Sequence, residues 1–493
     1  MPEFNSKAFG KNDIRGIVGE SVTVELFYYV GKAYAKYVSK HSGKEVKDIW
    51  LTVARDARLH SPELTKAVIK GVTSVGANVI DLGMAPTPLG YFSEVISYNI
   101  DSKEIEVSGA MIVTASHNPS EYNGMKMTFN RKSLSEDDIK EVKIMTIDEF
   151  NEKEKTNFRT GVVKECDIIA KYMDVQHSNF PRMGDGIKIV VDSANATAGI
   201  VAPQLYRELG CEVVDIFTEP DGNFPNHHPN PSDEKTLVSI KEEIKKTQAD
   251  FGIAFDGDSD RIGVVDNTGY SIPGDQLLLI FSLDILEQFR RRGEVPKIIS
   301  EVKCSQLLFD MINKNGGEAI MWKTGHGYIK SKMKEEDAIL AGEMSGHIFF
   351  KDRYYGFDDA IYAGCRVIEI VAKHRKENPE FKLSDLIASF PPLYTTREVR
   401  YPCKNECKKP VLKELEELIE NNPSIFGDKI LSIVTIDGLR IIFDNGFAMI
   451  RQSNTEPVFT LRFESTDKET AEHYKSVMLN SLDKIMEKHN VIV

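Results

Sequence analysis

Phe251-Gly252-Ile253-Ala254-Phe255-Asp256-Gly257-Asp258-Ser259-Asp260-Arg261 reads as a buried strand that runs straight into an acidic loop. Five uncharged residues bounded by a polar turn suit a strand covered on both faces. The same form recurs along the chain. Ile49–Ala54 leads into Arg55-Asp56, and Ala110–Val113 into Thr114-Ala115-Ser116-His117-Asn118-Pro119. Ile187–Val191 leads into Asp192-Ser193-Ala194-Asn195, and Lys297–Ser300 into Glu301-Val302-Lys303-Cys304. Ala338–Ala341 leads into Gly342-Glu343-Met344-Ser345-Gly346-His347. Helical patterns lie between them, at Ser61–Val75, Ala202–Leu209 and Leu237–Thr247. Such alternation predicts α/β layers with largely parallel sheets, in which ligands gather beyond the carboxyl ends of the strands.

The recurring unit predicts three related α/β domains, over 1–160, 161–270 and 271–389. The segment 390–493 reads differently. Ile430–Ile436, Leu439–Phe443, Phe447–Arg451 and Val458–Glu464 form four short strand patterns. Asp437-Gly438 and Asn445-Gly446 accept positive φ and mark hairpins between them. A helix is expected from about Asp467, with Thr466 and Glu469 at the spacing of a capping box. This is an antiparallel α+β module. Its polar connection Gln452–Pro457 is a candidate binding loop.

The chain has 493 residues, enough for several cores, with 41% apolar and 28% charged residues. A net charge of -13 argues against a general binder of nucleic acid or anionic membranes. The most apolar stretch, Leu277–Leu286, is short and carries Asp284, so no membrane span is expected. The start, Met1-Pro2-Glu3-Phe4-Asn5, has neither the basic nor the apolar run of an export signal, so a cytoplasmic location is expected. Six scattered cysteines fit reduced thiols rather than a disulfide framework.

Asp256, Asp258 and Asp260 alternate directly after an apolar strand. Unneutralised, they repel one another; together they suit one hard cation, and Mg²⁺ is expected. An EF-hand is a poor match, because its sixth position is Arg261 and its twelfth Asn267. An aspartyl-phosphate phosphatase with Asp256 as nucleophile also fits this loop, but it leaves the Ser116 loop without a role. Around Ser116 there is no G-x-S-x-G elbow, and nowhere is there a P-loop. What remains is a Ser able to carry a phosphoryl group whose charge a divalent ion and nearby basic groups would offset. Glu343 and Ser345 could grip neighbouring sugar hydroxyls. Arg451, Ser453, Asn454 and Thr455 have the donors to clasp a phosphate dianion.

Taken in order, these loops resemble those of the α-D-phosphohexomutase family, and of its bacterial phosphomannomutase/phosphoglucomutase members most of all. The resemblance runs from about Phe9 to the C-terminal helix. It rests on the Ser116 loop, Asp256–Arg261, Gly342–His347 and Arg451–Pro457. It implies three α/β/α domains with mixed sheets and a C-terminal α+β domain like that of TATA-binding proteins, around a central cleft. It also implies a phosphorylated Ser116, a Mg²⁺ ion on Ser116, Asp256, Asp258 and Asp260, and a hexose 1,6-bisphosphate intermediate. Asn12-Asp13-Ile14-Arg15-Gly16 resembles the family's Y-D-I-R-G, which makes Arg15 an active-site contact, with Asn12 in place of the usual Tyr.

Asn123-Gly124-Met125-Lys126 implies a catalytic Lys126. Lys126 and His117 are the general-base candidates, ahead of His326, and Arg261 is expected to offset charge on the transferring group. Lys303, His326 and His347 join the expected substrate contacts. Met344 points to glucose or mannose, where phosphoglucosamine mutases usually carry Gln. The resemblance further implies a monomer. Water competes for the phosphoryl group and a closing cleft would exclude it, so the last domain is expected to move about a hinge near Phe390–Leu393. The competing readings are a phosphoglucosamine mutase, a Mg²⁺-dependent sugar phosphatase using Asp256, and a non-enzymatic sugar-phosphate binder.

Overall fold

The computed structural model describes residues 5–152, 160–396, 398–453 and 457–488. Its first three sheets repeat one arrangement. In the second, Lys188–Asp192 lies between Glu212–Ile216 and Phe251–Phe255, all parallel, and Ile262–Asp266 then returns antiparallel. The third sheet has the same order: Lys297–Glu301 between Glu318–Trp322 and Leu340–Gly342, followed by antiparallel Ile348–Phe350. In the first, Trp50–Arg55 is flanked by Asn78–Met84 and Gly109–Val113, and Tyr122–Phe129 returns antiparallel. In each sheet the turn from the last parallel strand into the antiparallel one carries a polar loop: Ser116, Asp256–Asp260 or Glu343–His347. One topology therefore sets three different loops at equivalent sheet ends.

The helices follow from amphipathic spacing and caps. Ser61–Ser74 connects the first two parallel strands of the first domain, with Pro62 in its first turn, where its missing N–H costs nothing. Leu277–Leu286 falls inside the helix Gly274–Arg292, which buries Leu277 to Phe281. Asp359 caps the helix Ala360–Glu377 by accepting from Tyr362 N–H. That helix packs between the second and third layers, and Tyr206 Oη donates to Ile361 O at 3.0 Å. One cluster of buried apolar residues runs through all three layers, each layer has a further cluster of its own, and the last domain has another. None of the described helices is long and apolar enough to cross a membrane.

The fourth sheet is antiparallel throughout. Its strands Ile430–Val434, Leu439–Phe443, Gly446–Gln452 and Val458–Ser465 are joined by two short ones, Tyr394–Thr395 and Val399–Pro402. Two expectations need correction. Val163–Glu165 pairs with Asn78–Met84, so the first sheet extends past residue 160. The last helix starts at Lys468 and is capped by Asp467, whose carboxylate accepts from Thr470 N–H at 2.8 Å. Asp467 stands three residues before that N–H, and a carboxylate accepts as well there as a hydroxyl.

Glu94 supports the first sheet from below. It accepts from the Thr128 hydroxyl and, at 3.0 Å, from Arg131 N–H. Burial, only partly opposed by these bonds, pushes its carboxyl up to about 7. The folded value lies above the unfolded one, so this contribution to stability is present at low pH and is lost as pH rises towards 7. The full effect is on the order of 3 kcal/mol. Glu94→Gln can keep both hydrogen bonds and does not titrate. Melting temperatures between about pH 5 and pH 8 should fall less in the variant than in the parent; equal falls would refute the assignment.

Candidate active site

Ser116 sits at φ 51°, in the left-handed region, and is 2% exposed. The turn is fixed by Ser116 N–H donating to Thr114 Oγ1 at 2.9 Å. Arg58 secures it from beneath. Its guanidinium, 1% exposed, donates to the carbonyls of Ser116 (2.9 Å), Asn118 (2.6 Å), Pro119 (2.5 Å) and Tyr122 (3.0 Å). Its Nε donates to Asp56 at 3.1 Å. Arg15 donates to Asn118 Oδ1 at 2.8 Å and to Asp13 at 2.6 Å.

The acidic loop meets this turn directly. A Cβ on Gly257 would lie 2.4 Å from Ser116 O, so only glycine permits the approach. Ser116 Oγ donates to Asp256 Oδ2 at 2.8 Å, across 140 residues of chain. Asp256, Asp258 and Asp260 are wholly buried, and each offers an oxygen to one common point. Lys126 Nζ donates to Asp258 at 2.6 Å and to Asp260 at 2.5 Å, and Thr87 Oγ1 donates to Asp258 at 2.6 Å.

Burial, then Asp260 and Asp258, drive the Asp256 carboxyl well above its ordinary range. Burial and Asp260 also push on Asp258, but Lys126 and Thr87 outweigh them and it lies below. Burial would lower the Lys126 ammonium, yet Asp258 and Asp260 hold it well above its usual value. Asp258 Oδ1 and Asp260 Oδ1 are buried without a hydrogen-bond partner. A converging all-oxygen set with unused lone pairs fits a hard divalent cation.

Beside Ser116, His117 Nδ1 lies 3.2 Å from its Oγ. Burial, with Arg261 and Arg15, pushes this imidazole down to about 2, so it is neutral at physiological pH. Arg261 Nε donates to His347 Nε2 at 3.0 Å, which leaves the ring proton of His347 on Nδ1, 3.1 Å from Asp358 Oδ2. His326 stacks on His347 with ring centroids 5.5 Å apart, and Lys330 Nζ reaches Asp358 at 3.1 Å.

The remaining loops close on one another. Glu343, 3% exposed, accepts from Gly325 N–H at 2.6 Å. Glu301 accepts from Thr324 Oγ1 at 2.5 Å and from Met344 N–H at 2.8 Å, and lies 3.4 Å from Lys303 Nζ. Asp437 accepts from Thr324 N–H at 3.2 Å and from Arg451 at 3.1 Å, which links the third layer to the last domain. Ser345 and Ser453 are half-buried nearby in their loops, with Ser453 O accepting from Lys408 at 2.8 Å. Asn454 and Thr455 lie outside the described residues. The Met344 sulfur rests against the Arg462 guanidinium.

Sequence reasoning missed Arg58, Thr87 and Asp358. Arg58 follows the charged end of a parallel strand, which is a signal. Asp358-Asp359 precedes a helix, where one carboxylate suffices as a cap. The second was the clue.

A buried serine hydroxyl on a buried acidic triad, with polar loops of the third and last domains beside it, has the chemistry for phosphoryl transfer. Comparison with known proteins bears on this directly. The phosphoglucomutase/phosphomannomutase alpha/beta/alpha domains I, II and III match residues 6–153, 169–269 and 273–394, and the C-terminal domain matches 398–481. The chain is 37% identical to a phosphomannomutase/phosphoglucomutase of Pseudomonas aeruginosa, over 98% of its own length and 96% of the relative's. It is 40% identical to a phosphoglucomutase of Neisseria gonorrhoeae, over 94% of each. A crystal structure of a phosphoglucomutase/phosphomannomutase family protein from Burkholderia thailandensis superposes with a TM-score of 0.86 at 35% identity, over 97% of each chain. The chain belongs to the phosphoglucomutase/phosphomannomutase family.

Proposed function

We propose that this enzyme interconverts the 1- and 6-phosphates of glucose and mannose, with phosphorylated Ser116 as the resident carrier. The observation that carries this reading is the Ser116 hydroxyl, held in a strained turn 2.8 Å from Asp256. Phospho-Ser116 transfers its phosphoryl group to the free hydroxyl of a bound hexose monophosphate: the Oγ–P bond breaks and a sugar O–P bond forms. The proton released by the sugar hydroxyl passes to Ser116 Oγ. His117, neutral and 3.2 Å from that oxygen, and Lys126, whose ammonium Asp258 and Asp260 hold, are the two groups placed to handle this proton; burial makes the first a weak base and pairing keeps the second protonated. The resulting hexose 1,6-bisphosphate turns over in the cleft and returns its other phosphate to Ser116.

Glu343 and Ser345 grip ring hydroxyls, with Lys303, His326 and His347 around them, and the Arg451–Thr455 loop clasps the phosphate that is not transferred. Two substrate orientations then use the same few contacts. Arg15 and Arg261 supply fixed positive charge where the phosphoryl group passes. Asp256, Asp258, Asp260 and the Ser116 oxygen would hold Mg²⁺, which offsets charge on the transferred group when bound. Movement of the last domain about Phe390–Leu393 would exclude water from the phosphoenzyme. The six free cysteines support a reducing, cytoplasmic setting, and we assign a monomer.

Incubation with glucose 1,6-bisphosphate radiolabelled in both phosphates should label Ser116 with an acid-stable phosphoester, and unlabelled mannose 6-phosphate should chase it off. Label recovered as a hydroxylamine-labile acyl phosphate on Asp256 would overturn the reading in favour of a phosphatase-like mechanism.

A further inference from the structure

Away from the acidic triad, a cavity of about 820 Å³ lies between the first and third domains. That is the size of a small-molecule site. Its walls carry aromatic side chains from both domains, with Phe129 and Tyr355 accessible and Tyr37 and Phe357 buried behind them. Tyr37 and Phe129 meet edge to face at 6.0 Å, and Tyr355 stacks parallel to Phe357 at 6.0 Å. Tyr355 is 45% exposed and packs on Phe92, Tyr354 and Phe357.

The rim is cationic. Lys132 comes from the first domain and Lys334 from the third, and they face each other. Among the described residues neither has a carboxylate within ion-pair distance. Their mutual repulsion lowers Lys334. Other charged groups at the cavity already have partners: Lys351 pairs with Asp337, Lys330 with Asp358, Glu335 with Lys332 and His41 with Glu141, Arg131 donates to Glu94 O, and the Asp138 carboxylate accepts from Tyr37 and Ser135. Glu94, in the wall, is raised to about 7 by burial and is spent on the Thr128 hydroxyl and Arg131 N–H. Lys132 is also placed at some conformational cost. The hairpin tip before it holds Asn130 at φ 50° and Arg131 at φ 61°, and a left-handed Arg is uncommon. Two unneutralised lysines at the mouth of an aromatic-walled cavity call for a ligand with a flat ring and an anionic end.

We propose that this interdomain cavity binds a nucleoside diphosphate, its base between the aromatic walls and its phosphates on Lys132 and Lys334. The site is separate from the sugar-phosphate cleft. Lys330 joins the two, with its ammonium 4.3 Å from the Tyr91 ring centroid in the cavity wall and 3.1 Å from Asp358 beside His347.

The probe is ADP, titrated calorimetrically into the full-length protein with and without saturating glucose 1-phosphate. Binding is expected in both cases, with adenosine and inorganic phosphate each binding at least about tenfold more weakly than ADP. Lys132→Glu/Lys334→Glu, both exposed positions, should weaken ADP at least about tenfold and leave mutase turnover unchanged. Tyr355→Ala should weaken ADP and leave inorganic phosphate unaffected. No ADP binding up to millimolar concentration would overturn the proposal. So would displacement by glucose 1-phosphate, which places ADP in the cleft, or undiminished ADP binding in both variants.

Discussion

Ser116→Ala is expected to lower mutase turnover by roughly 10⁴-fold or more, the scale of losing a nucleophile that anchors a covalent intermediate. The substitution removes one oxygen and with it the donor to Asp256 Oδ2, while Asp256 Oδ1 keeps the N–H groups of Asp260 and Arg261. The backbone at φ 51° is already strained in the parent, and Ala tolerates that region no worse than Ser. The Thr114 bond to the Ser116 N–H and the Arg58 bond to its carbonyl do not involve the lost hydroxyl. The loop therefore keeps its shape, and the melting temperature should stay near that of the parent. The proposed substrate contacts lie on Glu343, Ser345 and the Arg451 loop, so affinity for glucose 1-phosphate should also persist. The decisive pattern is a collapsed kcat with nearly intact binding, measured in a coupled assay and by calorimetry, without rescue by added glucose 1,6-bisphosphate. Residual turnover above about one-hundredth of the parent would mean that the phosphoryl group has another carrier.

The layered fold was readable because each parallel strand is a short apolar run ending in a polar loop. Phe251–Phe255 matches its expected bounds residue for residue. Val163–Glu165 was not readable, since Val-Lys-Glu has no apolar run and is a strand only because Asn78–Met84 offers it a parallel edge. The candidate site was legible as motifs in order, yet no spacing along the chain brings Ser116 to Asp256; a close packing that only Gly257 permits does so. Lys126 shows the other limit. Its motif makes it a catalytic candidate, but its fixed pairing with Asp258 and Asp260 depends on how the first two layers meet. Arg58 left little trace, because four of its five partners at the guanidinium are backbone carbonyls, which every sequence supplies.

Arg58 carries the second large expectation. Five hydrogen bonds converge on one buried guanidinium, and a planar fork of five N–H groups can meet them all. Arg58→Ala takes the cation from buried Asp56, whose Oδ1 keeps the residue-58 N–H and Ser61 while Oδ2 loses its donor, and leaves the carbonyls of Ser116, Asn118, Pro119 and Tyr122 without theirs. Breaking a buried pair in this way costs about 3–5 kcal/mol. The loss should appear as an earlier first transition in denaturant. Arg58→Lys keeps the charge but offers three donors from a single point, so it should recover part of the stability and little of the geometry. The two variants separate support of the fold from placement of the nucleophile. If Arg58 sets the Ser116 turn, both should phosphorylate Ser116 slowly from glucose 1,6-bisphosphate while the KM for hexose phosphate stays near the parent's. If Arg58→Lys is destabilised but phosphorylates Ser116 at the parent's rate, the turn is held by Thr114 and Gly257 alone, and the guanidinium serves only the fold.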